Sequence, residues 1–290
     1  MNQATGGDPP SAGPSTDRLA VADRPLVIAH RGFSAAAPEN TLAALRMALE
    51  LEEGGRRVDM VEVDVTSTAD GHVVLLHDAT LDRTTDGAGP AMAADLETLQ
   101  RLDAGAKFHR RFAGERIPTL GAALDLVRGR TLLNIEIKPE AVTGPLAPRD
   151  PADGIVPRVV SEVRARGMER QVVVSSFEPE ALRRLRAEDP EIRISALYDR
   201  RRHGEMGPGE VAGAVGARGF HVHSRFVDRP LVEASHAHGL PVSVYTVNWP
   251  WRMERMLDLG VDALFTDRPD RMLQLLERHP GRWRRQPTNL

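Results

Sequence analysis

The chain contains no cysteine. Disulfides and thiolate-held metals are therefore excluded, and any metal must be held by His, Asp or Glu. The absence agrees with a reducing compartment without deciding it, and a cytoplasmic location is the expectation. A large excess of charge of one sign is also missing. The net charge is −3, which gives no footprint for a nucleic-acid partner. No apolar run approaches the ~20 residues that a transmembrane helix needs. No Gly-rich dinucleotide fingerprint follows the first apolar run. Lysine is almost absent: of 38 basic residues only Lys107 and Lys138 are lysines. Lys138 stands in the apolar run Asn134-Ile135-Glu136-Ile137-Lys138-Pro139, two residues after a carboxylate. A position that keeps a compact ammonium in an arginine-rich chain suggests a site that a planar guanidinium does not suit.

What is present is a regular alternation. Short β-rich runs at 26–30, 60–66, 131–137, 171–176, 192–198, 219–223, 242–247 and 263–266 are interleaved with helical patterns. The helical patterns cover about 40–53, 119–128, 155–167, 179–188, 209–216, 229–238, 250–259 and 269–278. Eight such units over this length predict a (β/α)8 TIM-like barrel, with a doubly wound sheet as the alternative. A further run at 73–77 follows the second strand after Ala69-Asp70-Gly71-His72. That is too short for a crossover helix and reads as a hairpin. The stretch 72–118, with turn signals and a short helix near 94–102, reads as a small insertion after the second strand. Residues 1–23 read as a disordered tail without a secretory signal, 24–279 as the barrel and 280–290 as a C-terminal tail.

Strand alternation places the charged groups. Glu62 and Asp64 are two apart and share one strand face, while Val61, Val63 and Val65 take the other. Leu133, Ile135 and Ile137 likewise face covering helices, and Asn134, Glu136 and Lys138 face the interior. In a barrel these groups lie near the C-terminal strand ends, where active sites are built. Glu62, Asp64 and Glu136 are then set to share one hard divalent cation with oxygen ligands. Buried ion pairs are the plainer alternative for any single carboxylate. His30 and His77, each at a strand end, suit proton transfer near neutral pH. Arg31 and Lys138 are candidates to neutralise phosphoryl oxygens, and Gly32 to allow close backbone approach. Pro38-Glu39-Asn40-Thr41 reads as the start of a helix. Spacing alone supports metal-assisted chemistry on an anionic ester.

The ordered set of motifs goes further. His30-Arg31-Gly32, Pro38-Glu39-Asn40-Thr41, Glu62-Val63-Asp64-Val65, His77-Asp78 through Thr85, Glu136-Ile137-Lys138-Pro139, Ser175-Ser176-Phe177, Thr246-Val247-Asn248 and Thr266-Asp267 together resemble the glycerophosphodiester phosphodiesterase family over about residues 25–278. The resemblance implies hydrolysis of a small glycerophosphodiester to glycerol 3-phosphate and an alcohol. It implies Mg²⁺ or Ca²⁺ on Glu62, Asp64 and Glu136, His30 and His77 as the acid–base pair, and phosphate contacts from Arg31 and Lys138. Alternatives within the fold are a lysophospholipase D or a sphingomyelinase-D-like activity. A non-catalytic phosphate-binding module fits the complete motif set least.

Several residues stand outside the motifs. His221 and His223 lie two apart in a strand and read as interior lining ahead of metal ligands. Trp249, with Trp251 and Asn248 beside it, is a candidate apolar wall for the substrate. Arg200, Arg201 and Arg202 read as a solvated charge run, and Arg282-Trp283-Arg284-Arg285 as a solvated end.

Overall fold

Each β-branched run of the sequence becomes a barrel stave. In the computed structural model, which describes residues 14–16 and 23–284, eight parallel strands form the barrel. They are β1 (Leu26–Ala29), β2 (Met60–Ser67), β3 (Leu132–Ile137), β4 (Val172–Ser176), β5 (Arg193–Tyr198), β6 (Phe220–His223), β7 (Val242–Tyr245) and β8 (Ala263–Thr266). They stand side by side in chain order, and β1 pairs with both β2 and β8, which closes the ring. A TIM-like barrel is therefore what the chain forms, and the doubly wound alternative is excluded.

A helix follows each strand. Four of these helices begin with proline, at Pro179, Pro208, Pro250 and Pro269. The first turn has no partner for its N–H groups, so the missing proline donor costs little there. Thr41 and Thr119 cap two others through their hydroxyls, each accepting from a main-chain N–H three residues on. Outward residues such as Val63, Ile135 and Val174 are fully buried against these helices. Each contributes roughly 1.5–3 kcal/mol of apolar burial.

The interior is layered. Leu26, Ile28, Met60, Leu132, Val173, Ala263 and Phe265 fill the N-terminal end. Above them the inward positions turn polar. Glu62 lies beside Asn134 and Asp64 beside Glu136 in the β2–β3 register. This apolar floor under a polar mouth places the site at the C-terminal strand ends.

Two local features differ from the expected pattern. The first helix spans Leu42–Glu50 and stops short of 53, because Glu52–Glu53 and Arg56–Arg57 form a small antiparallel hairpin. Gly54 and Gly55 between them both have positive φ, +54° and +73°, as a tight two-residue hairpin turn demands. The strand Val73–Leu75 does pair antiparallel with β2, and His77 lies just beyond it.

The segment after β2 carries its own apolar cluster of Val74, Leu76, Leu81, Ala91, Leu99, Ala104 and Ile117. The expected N-terminal tail falls largely outside the described residues. Its described part is anchored, since Thr16 N–H donates to the Arg170 carbonyl at 2.7 Å. Arg285 also lies outside them. Trp283 is not solvated: it is buried, and its Nε1–H donates to Asp258 at 2.8 Å. It belongs to the main apolar cluster of the barrel, which the charge pattern around it conceals.

Candidate active site

Three carboxylates meet at the mouth. Oxygens of Glu62, Asp64 and Glu136 all lie within 4.8 Å of one another, and no other such group of three or more acidic or histidine side chains occurs among the described residues. Glu62 and Asp64 are each 1% exposed. Burial, together with the charges of Asp64 and Glu136, pushes the Glu62 carboxyl well above the usual carboxylate range. Asp64 goes the other way. Burial opposes its charge, but Lys138 and Arg31 outweigh that and hold it down. The Glu62 Oε1 atom is buried with no hydrogen-bond partner. An orphaned carboxylate oxygen facing two more carboxylates fits a hard divalent cation with oxygen ligands.

The two flanking cations sit on this cluster. The Lys138 ammonium reaches Glu136 Oε1 at 2.8 Å and Asp64 Oδ1 at 3.3 Å. The Arg31 main-chain N–H donates to Glu62 Oε2 at 2.8 Å. Its side chain reaches Glu39 at 2.8 Å and lies 3.2 Å from Asp64 through Nε, a charge contact whose angle is too poor for a hydrogen bond. Arg31 adopts a φ of +57°, uncommon for a side-chain-bearing residue. Gly32 follows at φ +79°, and a Cβ there would lie 2.6 Å from the Ala44 carbonyl carbon. The His-Arg-Gly run therefore needs glycine so that the loop can lie against the first helix.

Each histidine has a carboxylate behind it. His30 Nδ1 lies 2.7 Å from Asp267 Oδ1, and its Nε2 faces Glu62 Oε2 at 4.0 Å. His77 Nδ1 lies 2.6 Å from Asp78 Oδ1. Burial opposes charge on His30, but Glu62 and Asp267 outweigh it and raise its pKa. The His30 contact helps overcome burial and lowers Asp267. Arg83, ahead of His77, holds Asp78 down at about 2. Both carboxylates are ionised at neutral pH, so each Nδ1 carries the proton and donates it. That leaves each Nε2 free for proton transfer.

Other candidates stand apart from this cluster. His221 is buried, its Nδ1 has no partner, and burial pushes its pKa down to about 3. It packs edge-on against Phe265 and is part of the interior wall. His223 is partly buried, packs edge-on to Phe226 and Tyr245, and accepts from Arg225 N–H at Nδ1. Trp249 is 57% exposed at the mouth, with the Arg271 guanidinium 5.2 Å from its ring centroid. Arg202 pairs with Glu178, while Arg200 and Arg201 are exposed.

Sequence reasoning misses four supporting residues. Asn40 donates to Asp64 Oδ2 at 2.9 Å and accepts from the Asp64 N–H at 3.1 Å. Glu39 bridges Arg31 and Arg83. Asp267 orients His30, and Asn248 holds Asp267 at 2.6 Å. All four lie inside motif runs visible in the sequence, so motif membership was the available signal.

The family model for the glycerophosphoryl diester phosphodiesterase family matches residues 30–271. A glycerophosphodiester phosphodiesterase of Caldanaerobacter subterraneus is 38% identical over 254 residues, covering 87% of this chain and 98% of that protein. Among solved structures, a glycerophosphodiester phosphodiesterase from Agrobacterium tumefaciens is similar at a TM-score of 0.72 and 32% identity, covering 86% of this chain and 99% of the other. A phosphodiesterase from Oleispira antarctica, in complex with the product sn-glycerol-3-phosphate, is similar at a TM-score of 0.77 and 30% identity, covering 89% of this chain and 99% of the other.

Proposed function

Since the chain belongs to the glycerophosphoryl diester phosphodiesterase family, we propose that it hydrolyses small glycerophosphodiesters to glycerol 3-phosphate and an alcohol, with a divalent cation on Glu62, Asp64 and Glu136. The carrying observation is the three-carboxylate cluster with its orphaned Glu62 oxygen, flanked by two histidines that each have a free Nε2. Mg²⁺ or Ca²⁺ suits the all-oxygen set, and when bound it would supply Lewis-acid polarisation and a template for the phosphoryl oxygens.

This chain's own residues do the rest. One histidine takes the proton of the attacking hydroxyl, whether that of water or of the substrate's glycerol. The other gives a proton to the departing alkoxide. Asp267 and Asp78 keep both rings in the tautomer that presents Nε2. Lys138 and Arg31 lie close enough to the carboxylates to shift toward non-bridging phosphoryl oxygens as charge develops there. Trp249 offers an exposed aromatic surface to the alcohol portion.

The test is substitution with product analysis. His30→Ala and His77→Ala should each abolish release of glycerol 3-phosphate from glycerophosphocholine, glycerophosphoethanolamine and glycerophosphoglycerol while retaining divalent-cation binding. Near-native turnover in either variant would reject the acid–base pair. A lysophosphatidic or cyclic phosphate product from lysophosphatidylcholine would transfer the reading to the lysophospholipase D class.

A further inference from the structure

Among the described residues five large apolar side chains are exposed: Phe108 at 43%, Leu146 at 49%, Met206 at 39%, Trp249 at 57% and Trp251 at 59%. All five lie in segments that leave the C-terminal ends of strands. Phe108 follows β2, Leu146 β3, Met206 β5, and the two tryptophans β7. The connections at the opposite end, at 51–59, 128–131, 165–171, 189–192, 214–219, 238–241 and 259–262, expose none. Single exposed apolar residues scattered over a surface need no explanation. Confinement of all of them to one end of a barrel does.

Their distribution separates two uses. A wall for one substrate would gather on one side of the mouth. Because β1 to β8 run round the barrel in chain order, the segments after β2, β3, β5 and β7 stand round the whole rim. A ring of contact points suits a planar partner.

Arginines are interleaved with this ring. Arg271 lies over Trp249, Arg252 over Trp251, Arg225 over Phe226 and Arg111 over Phe112, at 4.7 to 5.2 Å from the ring centroids. Arg200 and Arg201 are exposed on the same end. None of these six pairs with a carboxylate among the described residues, unlike Arg202, which pairs with Glu178. Each of the four rings has a guanidinium over one face, so these rings are poor boxes for a quaternary ammonium group. What the rim offers instead is guanidinium hydrogens beside apolar bodies. That combination fits anionic phosphates lying above acyl chains.

We propose that the mouth of the barrel docks on an anionic phospholipid surface. Phe108, Leu146, Met206 and Trp251 enter the headgroup layer, and the unpaired arginines meet lipid phosphates. Docking in this orientation turns the carboxylate cluster toward the lipid, independently of which diester is cleaved.

The full chain is sedimented with phosphatidylcholine vesicles with and without phosphatidylglycerol, at low and high salt. Co-sedimentation only with phosphatidylglycerol, its loss in high salt, and a blue shift of tryptophan emission are expected. Trp283 is already buried, so the shift reports Trp249 and Trp251. The double variant F108S/L146S should bind at least tenfold more weakly. R200S/R201S should lose about fivefold per arginine. Both should hydrolyse a water-soluble diester at the native rate, because none of these residues touches the carboxylate cluster or the histidines. No binding to phosphatidylglycerol vesicles at low salt, or equal binding by both variants, would overturn the proposal. Because the vesicle assay needs no turnover, its failure is distinct from failure of the proposed reaction.

Discussion

Asp267 holds His30 Nδ1 at 2.7 Å although the two residues are 237 apart in the chain. One follows the first barrel strand and the other follows the last, so His30 is aimed only when β1 and β8 pair. Asp267→Asn keeps the shape but allows the amide to donate, which favours the tautomer with the proton on Nε2. A fall in kcat of about a hundredfold with little change in KM is expected. Steady-state kinetics check this, and a native kcat would deny Asp267 its orienting role.

The orphaned Glu62 oxygen is the basis for predicting metal dependence. EDTA should remove activity, and Mg²⁺ or Ca²⁺ should restore it. Glu136→Gln should weaken cation binding, measured by calorimetry, by tenfold or more, since it removes the charge of one of the three proposed ligands. Full activity after exhaustive chelation contradicts the assignment.

Lys138 is 8% exposed and its ammonium touches two carboxylates. A guanidinium is wider and planar, and cannot occupy the same point between Asp64 and Glu136. Lys138→Arg should therefore lower kcat/KM at least tenfold, about 1.4 kcal/mol of transition-state stabilisation, with an unchanged circular dichroism spectrum. If the rate is unaffected, the retention of lysine here has no catalytic reason.

His221 should make the fold acid-sensitive. Its folded pKa, about 3, lies below the ordinary value of about 6.5 for an unfolded chain. Between those values the unfolded state carries the extra proton. The stability contributed by neutral His221 is therefore complete above about 6.5 and is lost as pH falls toward 3, at up to ~1.4 kcal/mol per pH unit. Urea unfolding at a series of pH values measures the slope. His221→Asn should flatten it, and an unchanged slope would assign the acid sensitivity to other groups.

The barrel and its carboxylates were legible because both depend on local periodicity. Alternation of two along β2 and β3 separates Val61, Val63 and Ile135 from Glu62, Asp64 and Glu136 without any tertiary knowledge. Asn40 was not legible as a site residue. Its place before a helix reads as a start signal, whereas its φ of +56° turns the amide toward Asp64 on a neighbouring strand. Trp283 shows the opposite failure. A run of arginines suggested a solvated end, yet the indole is buried in the apolar cluster and Asp258 gives its N–H a partner. Glu52 and Glu53 continued the helical pattern read over 40–53, and the paired Gly54-Gly55 beyond them marks the reversal.

The ion pairs around Glu39 carry a further consequence. Arg31 binds Glu39, Glu39 binds Arg83, Arg83 binds Asp78, and Asp78 binds His77. Arg31 belongs to the barrel rim, whereas Arg83, Asp78 and His77 belong to the segment with its own apolar cluster. A row of charges thus crosses from one packed unit to another between the loop that carries His30 and the segment that carries His77. Through Glu39, the placement of His77 is tied to the barrel rim by charge pairs as well as by the backbone.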